Sequence, residues 1–125
     1  MEFGFERMAA YREALAFSKE MVDVTSRIKI DPSYADQLRR SSSSIAANLA
    51  EGWGRWHAAD KAHFYRMALG SAFECIPFLE LIATQGIIVQ HELSAFRLHV
   101  DKIASLITGL IKRFASARTD TGRLL

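Results

Sequence analysis

The sequence is poor in residues that interrupt or cross-link a chain. Two prolines, Pro32 and Pro77, and seven glycines in 125 residues leave room for long regular elements. A lone cysteine, Cys75, excludes an intramolecular disulfide and fits a reducing compartment. No sign of charge dominates: 16 Lys and Arg against 14 Asp and Glu give a net charge of +2. With a pI near 8.9, the chain is too mildly basic for charge alone to demand a polyanion partner. No unbroken apolar run approaches the ~20 residues of a bilayer span. Glu2, Glu6 and Arg7 stand where a secretion leader would place a basic and then an apolar segment. The expectation is one cytoplasmic domain with no membrane partner. Half of the residues are hydrophobic, enough for a real core at this length.

Catalytic and metal-binding patterns are missing too. His91-Glu92 opens an H-E-x-x-H motif, but Ala95 stands where the second histidine belongs. His57 and His63 are six apart, and His99 is remote from both. The serine run, Ser41 to Ser44, lacks a G-x-S-x-G elbow, and no phosphate loop of the G-x-x-x-x-G-K type occurs. These absences predict no enzyme, no metal and no cofactor.

What is present centres on Gln37 to Arg55, QLRRSSSSIAANLAEGWGR. Leu38, Ile45 and Leu49 share one helical face. Arg40, Ser44, Asn48 and Glu51 form a polar stripe beside it. The S-x-x-D spacing of Ser33 and Asp36 predicts a capping box, with Pro32 barring continuation from upstream. Gly52 and Gly54 are expected to stop the helix in a left-handed cap. This predicts a helix over 34–51.

Three further helices flank it, over about 5–28, 58–85 and 90–115. In the first, Met8, Tyr11, Leu15 and Val22 make one apolar stripe, and Phe17, Met21, Val24 and Ile28 another. In the third, Phe64, Met67, Ser71, Cys75, Phe78 and Ile82 step by three and four. Tyr65, Leu69, Phe73 and Ile76 lie beside them, and Pro77 predicts a kink. In the fourth, Leu93, Phe96, Val100, Ile103, Ile107, Leu110 and Phe114 alternate three and four without error. The pattern is lost over 116–125, which predicts a frayed tail. Trp53 and Trp56 flank Arg55 at the second junction. The expectation is that they cap the core, the alternative being that they stack on bases or on a partner.

Four amphipathic helices with short loops predict an all-α, antiparallel up-down-up-down bundle. Glu51 and Glu74 would approach each other across helices two and three, near Arg40, Ser44, Asn48 and Ser71. Facing carboxylates can serve acid–base chemistry, but a hydrogen-bonded network that fixes helix register is the expected role. Apolar residues beyond one inward stripe on helices one, three and four predict self-association.

The order Gln37, Arg39, Arg40, Ser44, Ile45, Asn48, Ala50, Glu51, Gly52, Arg55 resembles a known family. These are the bacterial four-helix-bundle proteins encoded in intervening sequences of 23S ribosomal RNA genes. Phe64, Ala68, Gly70, Ser71 and Glu74 resemble a second motif of that family, and Gly109 to Lys112 a third. The resemblance implies a bundle that closes as a ring, a homopentamer. Relatives by fold include the accessory protein of diversity-generating retroelements, a basic pentamer that acts with reverse transcriptase and nucleic acid. The resemblance therefore implies a non-enzymatic protein that binds RNA or DNA. Arg39, Arg55, Lys61, Arg66, Lys112, Arg113 and Arg118 are the candidate phosphate contacts. The alternative is a protein-interaction scaffold that engages a protein partner and no nucleic acid.

Overall fold

The computed structural model describes residues 1–29 and 31–124, with side chains as far as Ala115. The described residues form an all-α fold of four helices with no strand. A 3-10 turn, Gly4–Arg7, precedes α1 (Ala9–Thr25), α2 (Pro32–Trp53), α3 (Ala58–Thr84) and α4 (Gln90–Leu124). α4 runs to Leu124, past the expected end at 115, while the side chains over 116–125, Arg118 among them, lie outside those described.

The single first helix expected over 5–28 is divided. Met8 is extended (φ −70°, ψ 128°), which separates the 3-10 turn from α1. The turn is closed by the Phe3 N–H donating to Glu6 Oε1 at 2.9 Å. Arg12 staples it to α1 by donating to the carbonyls of Glu6 and Arg7. Gly4 allows this hook to lie on Trp53, since a Cβ there would come 2.5 Å from the indole Cζ2. At its other end α1 stops early, where Thr25 Oγ1 bonds back to the Met21 carbonyl at 2.7 Å.

Both ends of α2 differ from the expectation. Asp31, not Ser33, is the N-cap, and its carboxylate accepts from the Ser33 N–H at 3.0 Å. Pro32 is the first helical residue, where a missing N–H costs nothing. Gly52 does not end the helix; it is buried inside it. A Cβ at Gly52 would lie 2.7 Å from Tyr65 Cε1 and 3.1 Å from Phe64 Cβ. Glycine therefore serves close helix approach at this position. Gly54 is the C-cap but is right-handed, with φ −74°. The left-handed glycine is Gly86 (φ 78°), at the end of α3. There Ile87 N–H bonds Ile82 O and Gly86 N–H bonds Ala83 O, a Schellman closure. α4 then opens with Glu92 accepting from the Val89 N–H at 3.1 Å.

Each helix packs against two others: α1 and α3 each meet α2 and α4. Phe17, Met21, Leu38, Ile45, Leu49, Leu79, Ile82, Ile103 and Ile107 are fully buried. Side chains of this size contribute about 1.5–3 kcal/mol each on burial. The α4 stripe from Leu93 to Ile107 faces inward as its spacing predicts. For α3 the inward face is Ala62, Tyr65, Ala68, Ala72, Cys75, Leu79 and Ile82, whereas Met67 and Phe73 are exposed. α3 is apolar around most of its circumference, so periodicity alone does not choose a side. Small residues decide it, because alanines let α2 and α4 come close.

α3 has 27 residues and an 18-residue window of mean hydropathy 1.4, so length and composition alone would let it cross a bilayer. Only 28% of that window is buried within the chain, so much apolar surface of α3 faces outward.

Candidate functional site

Two regions gather the residues singled out by sequence. The first is the seam between α2 and α3. Ser44 Oγ and Ser71 Oγ share a hydrogen bond of 2.9 Å across it. Asn48 Nδ2 donates to Ser44 Oγ at 3.0 Å and to the Ser44 carbonyl at 2.9 Å. These three half-buried groups form the polar link that the stripe predicts. Arg40, Glu51 and Glu74 do not join it. All three are exposed, and Glu51 pairs along its own helix with Arg55. Helix spacing placed them on the stripe, but the stripe curves out of the interface toward solvent. The neighbouring thiol is no nucleophile, since burial, with help from the Glu74 charge, pushes Cys75 up to about 12.

The second region is the end of the molecule where α2 hands over to α3. Arg55 is held by Glu51, and its guanidinium lies 4.5 Å from the Phe64 ring centroid. Lys61 Nζ donates to the Trp53 carbonyl at 2.6 Å and to the Gly52 carbonyl at 3.4 Å. It thus caps the C-terminal end of α2, and burial holds its ammonium below the usual lysine range. Arg113 lies over the Phe114 ring at 5.2 Å, close to Lys61. Trp53 is 43% exposed, resting on Gly4 and under Lys61. Trp56 is 93% exposed, so the capping role expected of both tryptophans fails for the second. An open recess of about 530 Å³ lies beside it, lined by Ala50, Glu51, Gly54, Arg55, His57 and Asp60.

The remaining candidate cations are scattered. Arg39 donates to Thr25 Oγ1 at 2.9 Å and pairs with Asp36 at 3.4 Å. Arg66 and Lys112 are exposed and hold no ion pair among the described residues. No cluster of metal-ligating side chains occurs among the described residues either.

Sequence reasoning missed a charged cluster between α1 and α4. His99 sits edge-on to Phe17 with Nε2 2.9 Å from Glu13 and Nδ1 2.7 Å from Glu20. Lys102 reaches the second Glu13 oxygen at 3.2 Å. Further along, Arg27 binds Glu92 at 2.8 Å. The seven-residue spacing of Glu13 and Glu20 was the available signal, but the helix pairing that places His99 between them was not legible.

The family is decided by the match of residues 6–109 to the family described as 23S rRNA-intervening sequence protein. The chain belongs to that family. In this 23S rRNA-intervening sequence protein, the matched span holds the whole α2–α3 seam and ends before Lys112, Arg113 and Arg118. The fold is similar to that of a crystallised Bacteroides thetaiotaomicron protein of unknown function from the S23 ribosomal protein family. The likeness has a TM-score of 0.77 at 23% identity, over 83% of this chain and 99% of that one. No curated protein matches.

Proposed function

We propose that this member of the 23S rRNA-intervening sequence protein family is a non-enzymatic, self-associating cytoplasmic protein that binds nucleic acid. The observation that carries the reading is the shared end of the molecule. Arg55, Lys61 and Arg113 gather there against Phe64, Trp53 and Phe114, and the exposed Trp56 stands beside Arg55. Cations interleaved with aromatics suit a phosphate backbone whose bases need a surface.

In this reading the helices run up-down-up-down. The order of cross-helix pairs supports it: Glu13 with Lys102, Glu20 with His99 and Arg27 with Glu92 proceed oppositely along α1 and α4. Ser44 with Ser71 and Gly52 with Tyr65 do the same along α2 and α3. The bundles then close into a ring, which repeats each weak phosphate contact around the assembly.

The test is binding of generic RNA and duplex DNA at two salt concentrations. Charge-driven binding weakens steeply as salt rises from about 50 to about 200 mM. A flat response, or no binding at the lower salt, removes the reading. One observation favours a protein-interaction scaffold instead. Arg39, Arg55 and Lys61 already hold partners inside the chain, which leaves less charge for phosphate.

A further inference from the structure

We infer that Trp56 is a stacking platform for an unpaired base, so that the nucleic acid taken at this end is single-stranded. The inference rests on the nucleic-acid reading above and narrows its ligand.

Trp56 is the largest side chain type available, yet 93% of it is wet. Among the described residues, no packing partner covers its indole. Its neighbours, by contrast, are pinned. Arg55 is tied to Glu51 and laid on Phe64, and Trp53 is wedged between Gly4 and Lys61. His57, the residue after Trp56, is the N-cap of α3 in extended conformation. The indole is thus displayed from a short loop whose two ends are fixed, which limits the entropy lost when a ligand docks.

The recess next to it has the mixed chemistry of a base rather than of a bare anion. Ala50 and Gly54 provide a small-residue floor, and Arg55 and His57 supply donors. Glu51 and Asp60 supply carboxylates. Those two carboxylates would repel a free phosphate held in the recess, but they accept hydrogen bonds from amino groups on a base edge. Phosphates of the same strand would then lie outside the recess. A duplex hides its base faces in its own stack, so it has no flat surface to offer the indole except at its ends. An unpaired strand offers one at every base, whatever its sequence.

The experiment uses the full chain and a short, end-labelled RNA without self-complementarity, read by fluorescence anisotropy beside the same RNA annealed to its complement. The unpaired strand is expected to bind more tightly than the duplex. Trp56→Ala is expected to weaken single-strand binding about tenfold, the loss of one stacked base, with the salt slope unchanged. Trp56→Phe keeps a stacking face and should stay within about threefold of the parent. Neither change touches a buried group, and circular dichroism checks that helix content is kept. If the parent binds RNA but Trp56→Ala binds it equally well, or if duplex binds better, the stacking platform is overturned and the charge-based reading stands. If neither RNA binds at low salt, both are overturned, and the exposed indole belongs to a protein contact.

Discussion

At the scale of single residues, glycine shows how position redefines a side chain. Gly52 and Gly54 read alike in sequence, both as helix stops, yet one is inside α2 and the other ends it. Gly52→Ala tests the difference. Alanine in a helix gains about 1 kcal/mol over glycine by propensity. Against that, the new Cβ would press on the buried Tyr65 ring at 2.7 Å and on Phe64 Cβ. Overpacking of this kind costs about 1–3 kcal/mol, and an aromatic ring between two helices cannot swing aside. The net expectation is destabilisation, a melting temperature lower by several degrees. An unchanged or raised midpoint would show that Tyr65 is not seated against α2. Asn48→Leu addresses the seam instead. It removes the donor that orients Ser44 toward Ser71, so helix content should persist while the uniqueness of assembly suffers. A single sharp species of unchanged size and midpoint would speak against that. Of this seam, Ser44, Asn48 and Ser71 were legible because helix spacing puts them on one stripe. Arg40, Glu51 and Glu74 were misplaced because spacing says nothing about where a stripe leaves the interface.

At the scale of elements, α4 was legible and α3 was not, for one physical reason. The apolar residues of α4 occupy a single stripe, so its inward face follows from period alone. Those of α3 surround it, and only the alanines that permit close approach mark its core side. The hook at residues 4–8 was hidden as well, since its cause is a tertiary contact between Gly4 and Trp53. How α1 meets α4 also lay beyond the sequence, and it carries a pH dependence. Glu13 is held below its usual range by hydrogen bonds from Lys102 first and His99 second. Glu92 is held below its own by Arg27 and then by the Val89 N–H. A carboxylate whose folded value lies under its unfolded value adds stability above the unfolded value, here near 4.5. That stability is lost as pH falls through the folded value. The melting temperature should therefore hold from about pH 6 to about pH 5 and then drop. Glu13→Gln and Glu92→Gln should each start lower at neutral pH and lose less on acidification. Variants that fall in parallel with the parent would show that these pairs do not join α1 to α4 in solution. Both carboxylates are only half-buried, so the effect of each is expected to be small and to shrink with added salt.

At the scale of the whole molecule, the question is what covers the outer face. Leu98 is 71% exposed, Val22 60% and Phe73 55%, with Met67 and Leu81 also wet on α3. Scattered surface leucines are ordinary, but α3 is strongly apolar and turns Met67, Phe73 and Leu81 outward. Burying one such side chain returns about 1.5–3 kcal/mol, while association costs at least about 4 kcal/mol in lost freedom. One contact is therefore too few, and a face shared by several side chains suffices. Copies of the chain are the occupant in the proposed ring, because each copy brings both faces of a head-to-tail contact. Light scattering at micromolar concentration is then expected to give a mass several times 14.0 kDa. Phe73→Glu and Leu98→Glu, made separately, place a charge on the outer faces of α3 and α4 without touching the core. At least one should lower the mass while leaving helix content and intrachain packing intact. A parent chain that scatters as a single 14.0 kDa particle would remove the ring. With it would go the multiplication of weak phosphate contacts, on which a chain carrying a net charge of only +2 depends for holding a polyanion.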